Sequence, residues 1–386
     1  MDLDSVTGEV AIAVGLAEGQ SGVRDVLRAI ACSEPVAVRE VSKAAELPVP
    51  IVAAVCNELR KRGALDPGRP LRLSEISRTL LAPVRPELSG RCGACGGSGL
   101  ALPAELDGLH DQLAAAEAGA PAARRELDQT HCTVATKIHR VLRMHQAGAL
   151  QGKRIILVGD DDLICVAIAR FAALLGIAAQ IRRLAVVDAD PDVLDWAADQ
   201  VSGTGVRAEF IEHDLRDPLP ASLAAGFEVA CTDPPYTVAG AELFLSRAVA
   251  GLVPEPGQHV FFSFGARRPE ETVRTQRLIT DMGLAIRSLA PGFNAYLGAG
   301  ILGGTSHLYH LRSTASSRPC IDGPYTGPLY TADQRAAVLR PYRCAACRSV
   351  HQVGPGSQWP RIGILQAAGC PQCGGATFRP MALQPR

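Results

Sequence analysis

Hydrophobic positions along the chain change their period near residue 153. Before it, apolar residues recur at the spacing of amphipathic helices; after it, short apolar runs alternate with helical stretches. The runs predict strands at residues 154–158, 183–187, 206–211, 227–231, 259–264, 284–289 and 306–311. Strands that alternate with helices build a doubly wound, mostly parallel α/β sheet, whose ligand lies beyond the carboxyl ends of the strands. The chemistry of the protein is therefore expected at those ends.

The amino-terminal region has the pattern of a helix-turn-helix followed by a wing. Three amphipathic stretches fall within residues 23–66, and residues 71–73 and 80–81 predict wing strands. Such a unit reads DNA through its third helix. Residues 1–90 carry 11 Lys and Arg against 12 Asp and Glu, however, which is a poor balance for holding phosphates. The region is therefore interpreted as a winged-helix-like module for dimerisation or for covering the substrate.

The same patterns divide the chain into four parts. Residues 1–88 form the winged-helix-like domain, and residues 89–123 form a connector rich in glycine and alanine. Residues 124–314 form a Rossmann-like domain, which opens with a helical pattern over 124–149. Residues 315–386 form a carboxyl-terminal extension.

The composition is that of an ordinary globular protein. The 386 residues include 47% hydrophobic and 20% charged side chains, and Lys plus Arg equals Asp plus Glu at 39 each. The whole chain thus has no charge excess that would draw it to phosphates, which argues against a nucleic-acid partner. No apolar run approaches 18 residues and the start is acidic, so neither a membrane span nor a secretory signal is expected. We expect a cytoplasmic protein with reduced cysteines.

Aspartates follow the first predicted strand where nucleotide-binding sheets carry a glycine-rich turn. Gly159 is followed there by Asp160, Asp161 and Asp162. Three carboxylates would repel a phosphate or a carboxylate and attract an amine or a sulfonium. The alternative is that the run only caps the following helix, although a single aspartate would suffice for that.

Two further aspartates end the next two strands. Asp188 lies where such sheets place the acid that binds both ribose hydroxyls. Asp214 follows the third strand and is expected to accept a hydrogen bond from an adenine amino group, with a loop cap as the alternative. Together they predict a nucleoside pocket.

The fourth strand ends in the sharpest local motif, Asp233-Pro234-Pro235-Tyr236. Two prolines stiffen the turn and direct backbone carbonyls toward one point. Asp233 is suited to accept a proton or a hydrogen bond from an amine, and Tyr236 offers its ring to a base or a cation. The motif therefore predicts a site that points an amine lone pair at an electrophilic carbon.

This motif resembles that of methyltransferases acting on amino groups of nucleic acids. A fuller set of motifs resembles the branched-chain polyamine synthases, the N(4)-bis(aminopropyl)spermidine synthases, over residues 25–312. The segments that carry this second resemblance are 92–99, 159–163, 213–220, 232–237, 243–247 and 293–296. It implies a Rossmann-like sheet of the class I methyltransferase type. The four-cysteine segment after residue 315 lies outside the pattern of that family.

The second resemblance also implies a reaction. The secondary amine of spermidine would attack decarboxylated S-adenosylmethionine beside its sulfur, giving N(4)-aminopropyl- and N(4)-bis(aminopropyl)spermidine and releasing methylthioadenosine. This donor lacks the carboxylate that a triple-aspartate loop would repel. The residues implied around the donor are Gly159, Asp161, Asp162, Asp188, Asp214 and Pro234.

Roles for individual side chains follow from the same resemblance. Asp160 would take the proton of the attacking amine, while Asp233 and the Pro234 carbonyl would orient its nitrogen. Tyr236 and Tyr296 would stack on the cationic centres.

Cysteine pairs predict one metal site and leave a second open. Cys92 and Cys95 offer only two ligands, so they either share a metal across a homodimer, recruit a distant residue or bind none. Four later cysteines have the spacing of a structural zinc ribbon: Cys344, Cys347, Cys370 and Cys373.

Two other functions stay open at this point. A nucleic-acid amino-methyltransferase that uses S-adenosylmethionine is favoured by the Asp-Pro-Pro-Tyr motif and by the helix-turn-helix pattern, but the acidic first loop opposes it. A transcription regulator whose sheet senses a small molecule would need DNA binding, which the amino-terminal charge opposes.

Overall fold

The apolar runs after residue 153 form one seven-stranded sheet in the computed structural model, which describes residues 2–81, 99–297, 304–331, 339–354, 357–359 and 362–381. The strands are β1 (Arg154–Val158), β2 (Arg183–Asp188), β3 (Ala208–Glu212), β4 (Val229–Thr232), β5 (His259–Gly265), β6 (Leu284–Ala295) and β7 (Thr305–Ser313). Their order is β3-β2-β1-β4-β5-β7-β6, and β7 runs antiparallel to both neighbours. This order defines the class I methyltransferase fold, so the predicted fold class is confirmed.

Helices cover both faces of the sheet. The α-helices of the described residues are α1 (Leu3–Val14), α2 (Gly19–Ser33), α3 (Val38–Ala45), α4 (Val49–Lys61), α5 (Glu75–Leu81), α6 (Asp107–Glu117), α7 (Val134–Gln146), α8 (Ile164–Leu174), α9 (Pro191–Val201), α10 (Val238–Gly251), α11 (Pro269–Asp281) and α12 (Ile362–Ala368). Successive residues of β1 enter different cores: Ile155 and Leu157 pack with α6 to α9, and Ile156 and Val158 pack with α10 and α11. Because both faces are buried, the strand is apolar without alternation.

The amino-terminal unit consists of α1 to α5 and two short pairings. Val36 pairs with Leu71, and Leu65 pairs with Leu73. Helices α2, α3 and α4 correspond to the three predicted amphipathic stretches. The predicted wing strand at residues 80–81 is wrong, because those residues lie in α5. The winged-helix assignment of this unit stays a prediction.

The segment before β1 differs from the predicted pattern. Helix α6 lies inside the predicted connector and buries Leu109 and Leu113 in the core of the sheet domain. The predicted helix over 124–149 begins only at Val134, where the Thr133 hydroxyl accepts the Thr136 N–H and caps α7. Before it, Asp128 has a φ of 56°, which is incompatible with a continuous helix.

The chain after β7 packs back against the sheet domain before it reaches the four-cysteine region. The buried Arg247 on α10 donates hydrogen bonds of 2.8 Å to the carbonyls of Ile321 and Gly323. Thr237 donates to the carbonyl of Leu329 at 2.8 Å. The final region is a three-stranded antiparallel sheet of order β10-β8-β9, from β8 (Arg340–Cys344), β9 (Val350–Val353) and β10 (Phe378–Pro380). None of the described helices has the length and apolar character needed to cross a membrane.

Candidate active site

The carboxyl ends of β1, β2 and β4 border a cleft of about 650 Å³. Gly159, Pro234 and Tyr236 line it, as do six aspartates: Asp128, Asp161, Asp162, Asp188, Asp214 and Asp233. Among the described residues, no Lys, Arg or His belongs to this lining. The structure thus brings together all the residues that were predicted around the donor, and it makes the cleft strongly acidic.

The loop after β1 requires glycine at its first position. Gly159 has a φ of 73°, a conformation that L side chains rarely adopt. A Cβ at this position would also lie 2.9 Å from Cε1 of Phe244, which packs beneath the loop from α10. Gly159 therefore lets the backbone pass tightly over Phe244 before it presents the three aspartates.

Asp160 is directed away from the main cleft. Its two carboxylate oxygens accept the backbone N–H groups of Ile164 and Cys165, at 2.8 and 3.0 Å, at the start of α8. It borders a smaller inner cavity, together with Asp162 and Asp233. Burial raises the pKa of Asp160 to about 7, although the N–H donors of the helix favour its ionised form. Its contacts therefore tie the loop to α8.

Asp188 is fixed by backbone donors at the end of β2. Its oxygens accept the N–H groups of Asp160 and Asp190, each at 2.9 Å. Burial raises the pKa of this carboxyl group. Two lone pairs on each oxygen leave it able to accept further hydrogen bonds from the cleft side, as a ribose diol would need.

A buried arginine joins the loops after β1 and β4. Arg140 on α7 donates to Asp162 Oδ2 and to Asp233 Oδ2, at 2.7 Å each. Its remaining N–H groups bond the side chains of Asn294 at 2.8 Å and Tyr296 at 2.9 Å. Arg140 therefore holds the two acidic loops at a fixed separation.

The two carboxyl groups that share Arg140 have opposite pKa shifts. Burial opposes ionisation of Asp162, but the guanidinium outweighs it and holds the pKa of Asp162 below its usual range. Burial raises the pKa of Asp233 to about 7 against the effect of Arg140, and the neighbouring Asp162 charge adds to the increase. One positive charge cannot stabilise both carboxylates equally, so Asp233 is the one poised to exchange a proton near neutrality.

Asp161 carries its carboxyl group into the main cleft. Its Oδ2 accepts the Thr130 N–H at 3.0 Å. Burial raises its pKa well above the usual range, and the charges of Asp162, Asp188 and Asp233 add to this. A cation in the cleft would relieve that repulsion and favour the ionised form.

Aromatic rings form the wall next to Asp233. The Tyr236 ring meets the Tyr296 ring edge to face, with centroids 6.1 Å apart, and Phe264 lies 6.2 Å away on the other side. The Tyr296 hydroxyl donates to Asp233 Oδ2 at 2.5 Å. The guanidinium of Arg267 donates to the Tyr236 carbonyl and fixes the turn from outside.

The far side of the cleft is built partly from the segment after β7. Leu329 and Tyr330 line the cleft beside Asp214, whose side chain is about half exposed. The Arg216 guanidinium lies 5.2 Å from the Tyr330 ring centroid. The Thr331 N–H donates to Asp128 Oδ2 at 2.7 Å, which joins this segment to the loop before α7.

The four late cysteines come together as predicted. Their sulfur atoms all lie within 4.8 Å of one another, and Cys344–Cys373 and Cys347–Cys370 are each 3.6 Å apart. Sulfurs of a disulfide would be about 2.05 Å apart, whereas those of a tetrahedral zinc thiolate site are about 3.8 Å apart. The geometry therefore fits a closed, structural zinc site. Cys92 and Cys95 lie outside the described residues.

Sequence reasoning missed Arg140 and the residues at the far wall. Arg140 does carry a signal, since it falls on the face of α7 that buries Lys137, Val141 and Met144. Charged residues on an apolar helix face need buried counter-charges, and Lys137 indeed meets Glu117 at 2.5 Å. Leu329 and Tyr330 carry no comparable signal, because they reach the cleft only through the path of a long loop.

Fold and site together define a Rossmann-like domain with a class I methyltransferase sheet, in which aspartates stand after β1 where nucleotide-binding sheets carry a glycine-rich turn. A family model described as "Branched-chain polyamine synthase A C-terminal domain" matches residues 109–313. The chain belongs to this family.

Individual relatives agree with that assignment. An uncharacterized protein of Methanocaldococcus jannaschii is 32% identical over 96% of this chain and 91% of its own length. The N(4)-bis(aminopropyl)spermidine synthase of Thermococcus kodakarensis is 29% identical over 72% of this chain and 78% of its own. The branched-chain polyamine synthase of Thermus thermophilus, solved with N4-aminopropylspermidine and 5'-methylthioadenosine, superposes with a TM-score of 0.67 and 25% identity, covering 86% of this chain and 97% of that one.

Proposed function

We propose that this protein transfers the aminopropyl group of decarboxylated S-adenosylmethionine to the secondary amine of spermidine, forming branched polyamines and methylthioadenosine. The observation that carries the proposal is the strand-end cleft with six aspartates and no basic side chain in its described lining. The names of the relatives in Thermococcus and Thermus support the same chemistry.

Charge selects the donor in this proposal. Decarboxylated S-adenosylmethionine carries a sulfonium and an ammonium, while S-adenosylmethionine also carries a carboxylate. Two unit charges 4 Å apart interact by about 4 kcal/mol at the effective dielectric of a protein surface. Asp161 and Asp162 would attract the ammonium of the first donor and repel the carboxylate of the second. Asp188 binds the ribose hydroxyls and Asp214 the adenine amino group.

Asp233, rather than Asp160, receives the proton of the acceptor amine in this mechanism. One oxygen of Asp233 is held by Arg140 and Tyr296, and its carboxyl group borders both the main cleft and the inner cavity. A pKa of about 7 suits a group that must be ionised when the amine arrives and protonated after it has reacted. Cations in the cleft lower that pKa and prepare the carboxylate.

The chemical step balances within the site. The spermidine nitrogen forms a bond to the carbon beside sulfur, the C–S bond breaks, and its electron pair neutralises the sulfonium. The proton of the attacking nitrogen passes to Asp233, and the Pro234 carbonyl orients that nitrogen. A second transfer starts from the neutral tertiary amine, which has no N–H left to lose when it attacks, and gives a quaternary product, which Tyr236 and Tyr296 can face.

Asp160 acts as a positioning residue in this mechanism. The carboxylate of Asp160 accepts hydrogen bonds from the start of α8, and its backbone N–H donates to Asp188. Asp160 therefore fixes the positions of Asp161 and Asp188. Protonation of Asp160 would weaken the cap of α8, which makes it a poor relay for the proton of the reaction.

The cytoplasm is the proposed location. Cys132, Cys165 and Cys231 form no disulfide in the core of the sheet domain, as is usual in a reducing compartment.

Product masses test the reaction directly. Purified protein is incubated with spermidine and either decarboxylated S-adenosylmethionine or S-adenosylmethionine. We expect products heavier by one and then two aminopropyl groups with the first donor, together with methylthioadenosine. Addition of a methyl group from the second donor, with no aminopropyl product from the first, would establish the methyltransferase alternative instead.

A further inference from the structure

Charge is distributed very unevenly along this neutral chain. Residues 334–386 contain seven arginines and no Lys, Asp or Glu. The preceding 333 residues therefore carry 32 basic and 39 acidic side chains. The zero net charge of the whole chain hides an acidic catalytic part and a basic carboxyl-terminal region.

The strand register places two of these arginines on one open face of the carboxyl-terminal sheet. Arg343 on β8 lies directly opposite Arg379 on β10 and opposite Val350 on β9. The opposite face carries Cys344 and Phe378, which form the small core beside the cysteine cluster. We call the face with Arg343, Arg379 and Val350 the outer face.

The outer face is basic and has no internal counter-charge. The side chains of Arg343 and Arg379 are exposed, and neither forms an ion pair within the part of the chain that the structure describes. Like charges directly opposite each other on paired strands destabilise a sheet. Arg348, also exposed, stands in the turn between β8 and β9 and adds a third positive charge to the same end of the sheet. The ribbon therefore bears an electrostatic cost that a bound anion would relieve.

The chemistry of this face fits a phosphate backbone. Guanidinium groups bind phosphate oxygens in a bidentate fashion, and side-by-side arginines can engage neighbouring phosphates of one strand. An anionic membrane is a poorer fit, because the apolar side chains that the described register places on the outer face, Pro341 and Val350, are small and include no aromatic ring to insert between lipids.

We propose that the carboxyl-terminal ribbon is a nucleic-acid-binding module, which contacts the phosphate backbone through Arg343 and Arg379 on its outer face. This site is separate from the polyamine cleft and does not depend on the proposed reaction. It would bring an enzyme that makes polycations to the polyanions on which such cations act.

Binding is tested with the full chain and fluorescently labelled duplex DNA or hairpin RNA, by anisotropy at several salt concentrations. The double variant R343E/R379E is expected to bind both probes roughly tenfold or more weakly and to lower the slope of log K against log salt by about two. Comparison of the two probes shows whether DNA or RNA is preferred. The variant should keep the zinc content and the polyamine-forming activity of the unmodified chain.

A matched control separates local contact from total charge. Arg274 and Arg277 are exposed on α11 of the sheet domain, so R274E/R277E makes the same charge change elsewhere. It should retain most of the affinity and the full salt slope. Equal losses in both double variants, no binding of either nucleic acid, or binding only to phosphatidylglycerol vesicles would each overturn the proposal.

Discussion

Arg140 and Asp233 form a buried ion pair, with Nη2 2.7 Å from Oδ2, where the main cleft meets the inner cavity. The same guanidinium also holds Asp162 at 2.7 Å. One arginine thus divides its charge between two carboxylates from separate loops. The site therefore has more carboxylate groups than positive charges until cationic substrates bind.

The first prediction separates the two aspartates that sequence and structure place near the reacting amine. Asp233→Asn should lower kcat by about 10² or more, because it removes the proposed proton acceptor. Asp160→Asn leaves one acceptor oxygen for the two N–H groups of α8, so it should lower thermal stability modestly while kcat stays within about tenfold of the unmodified chain. Steady-state assays and thermal unfolding measure both effects. If the Asp160 variant loses turnover while the Asp233 variant retains it, Asp160 is the proton acceptor.

The second prediction concerns proton release when a cation binds. In the free protein, burial raises the pKa of Asp233 to about 7 and the pKa of Asp161 well above its usual range. A bound cation favours the ionised carboxylates, so binding should release protons near neutrality, and affinity should rise from pH 6 to pH 8.

Calorimetry in buffers of different ionisation enthalpy measures this release. A bis-quaternary diamine is a suitable ligand, because its own charge does not titrate. The Asp233→Asn variant should release fewer protons. Affinity that does not change over this pH range would contradict the raised pKa values.

The third prediction concerns acid stability at the start of β5. Arg312 donates to His259 Nε2, so the His259 Nδ1–H donates to His310 Nε2 at 3.0 Å. Burial, and then the Arg312 charge, lower the pKa of His259 to about 3 and that of His310 to about 4. Both folded-state values lie below the ordinary value near 6.5, so the unfolded chain binds more protons in this interval. The two histidines therefore stabilise the fold above pH 6.5 and lose that contribution as the pH falls toward 4.

The variant His310→Gln tests this contribution, because it removes one titrating ring but keeps a polar side chain. Its free energy of unfolding, from urea titrations, should fall less steeply between pH 6.5 and pH 4 than that of the unmodified chain. Parallel curves would show that His310 does not contribute to the pH dependence.

The fourth prediction concerns the zinc ribbon. The small core around Leu365 and Phe378 is too limited to hold the ribbon together, so folding of this region should depend on the metal. Cys370→Ser should reduce bound zinc to well below one per chain and make the ribbon sensitive to proteolysis. Thermal unfolding of the sheet domain should change little. Full zinc content in the variant would mean that Cys370 is not a ligand.

The strands and the strand-end aspartates could be predicted because each has a local cause. A run of buried aliphatic residues has few alternatives to a covered strand, and parallel strands necessarily gather their carboxyl ends at one edge. Asp161, Asp188 and Asp233 were therefore placed correctly at one cleft. The spacing of the late cysteines is equally local.

Other features depend on long-range packing. The Asp160 carboxylate accepts N–H groups at the start of α8, after a left-handed Leu163; the capping alternative allowed for this, but the sequence did not show which of the three aspartates would do it. Arg140 pairs with Asp162 and Asp233 only because α7 packs against the loops after β1 and β4, and that packing is not encoded locally in the sequence. The start of α7 was misplaced because the charged residues and the leucine over 124–127 also suit a helix, and the φ of Asp128 decides against it. Whole-chain charge averages an acidic part and a basic carboxyl-terminal region, so the expectation that it argues against a nucleic-acid partner stays a prediction.

The six aspartates of the cleft have a consequence for the conditions under which the enzyme works. Inorganic cations in the surrounding solution compete with the cationic substrates for the carboxylates of this cleft. Because such competition grows with ionic strength, substrate affinity will fall as salt rises, and polyamine formation will be fastest when inorganic cations are scarce.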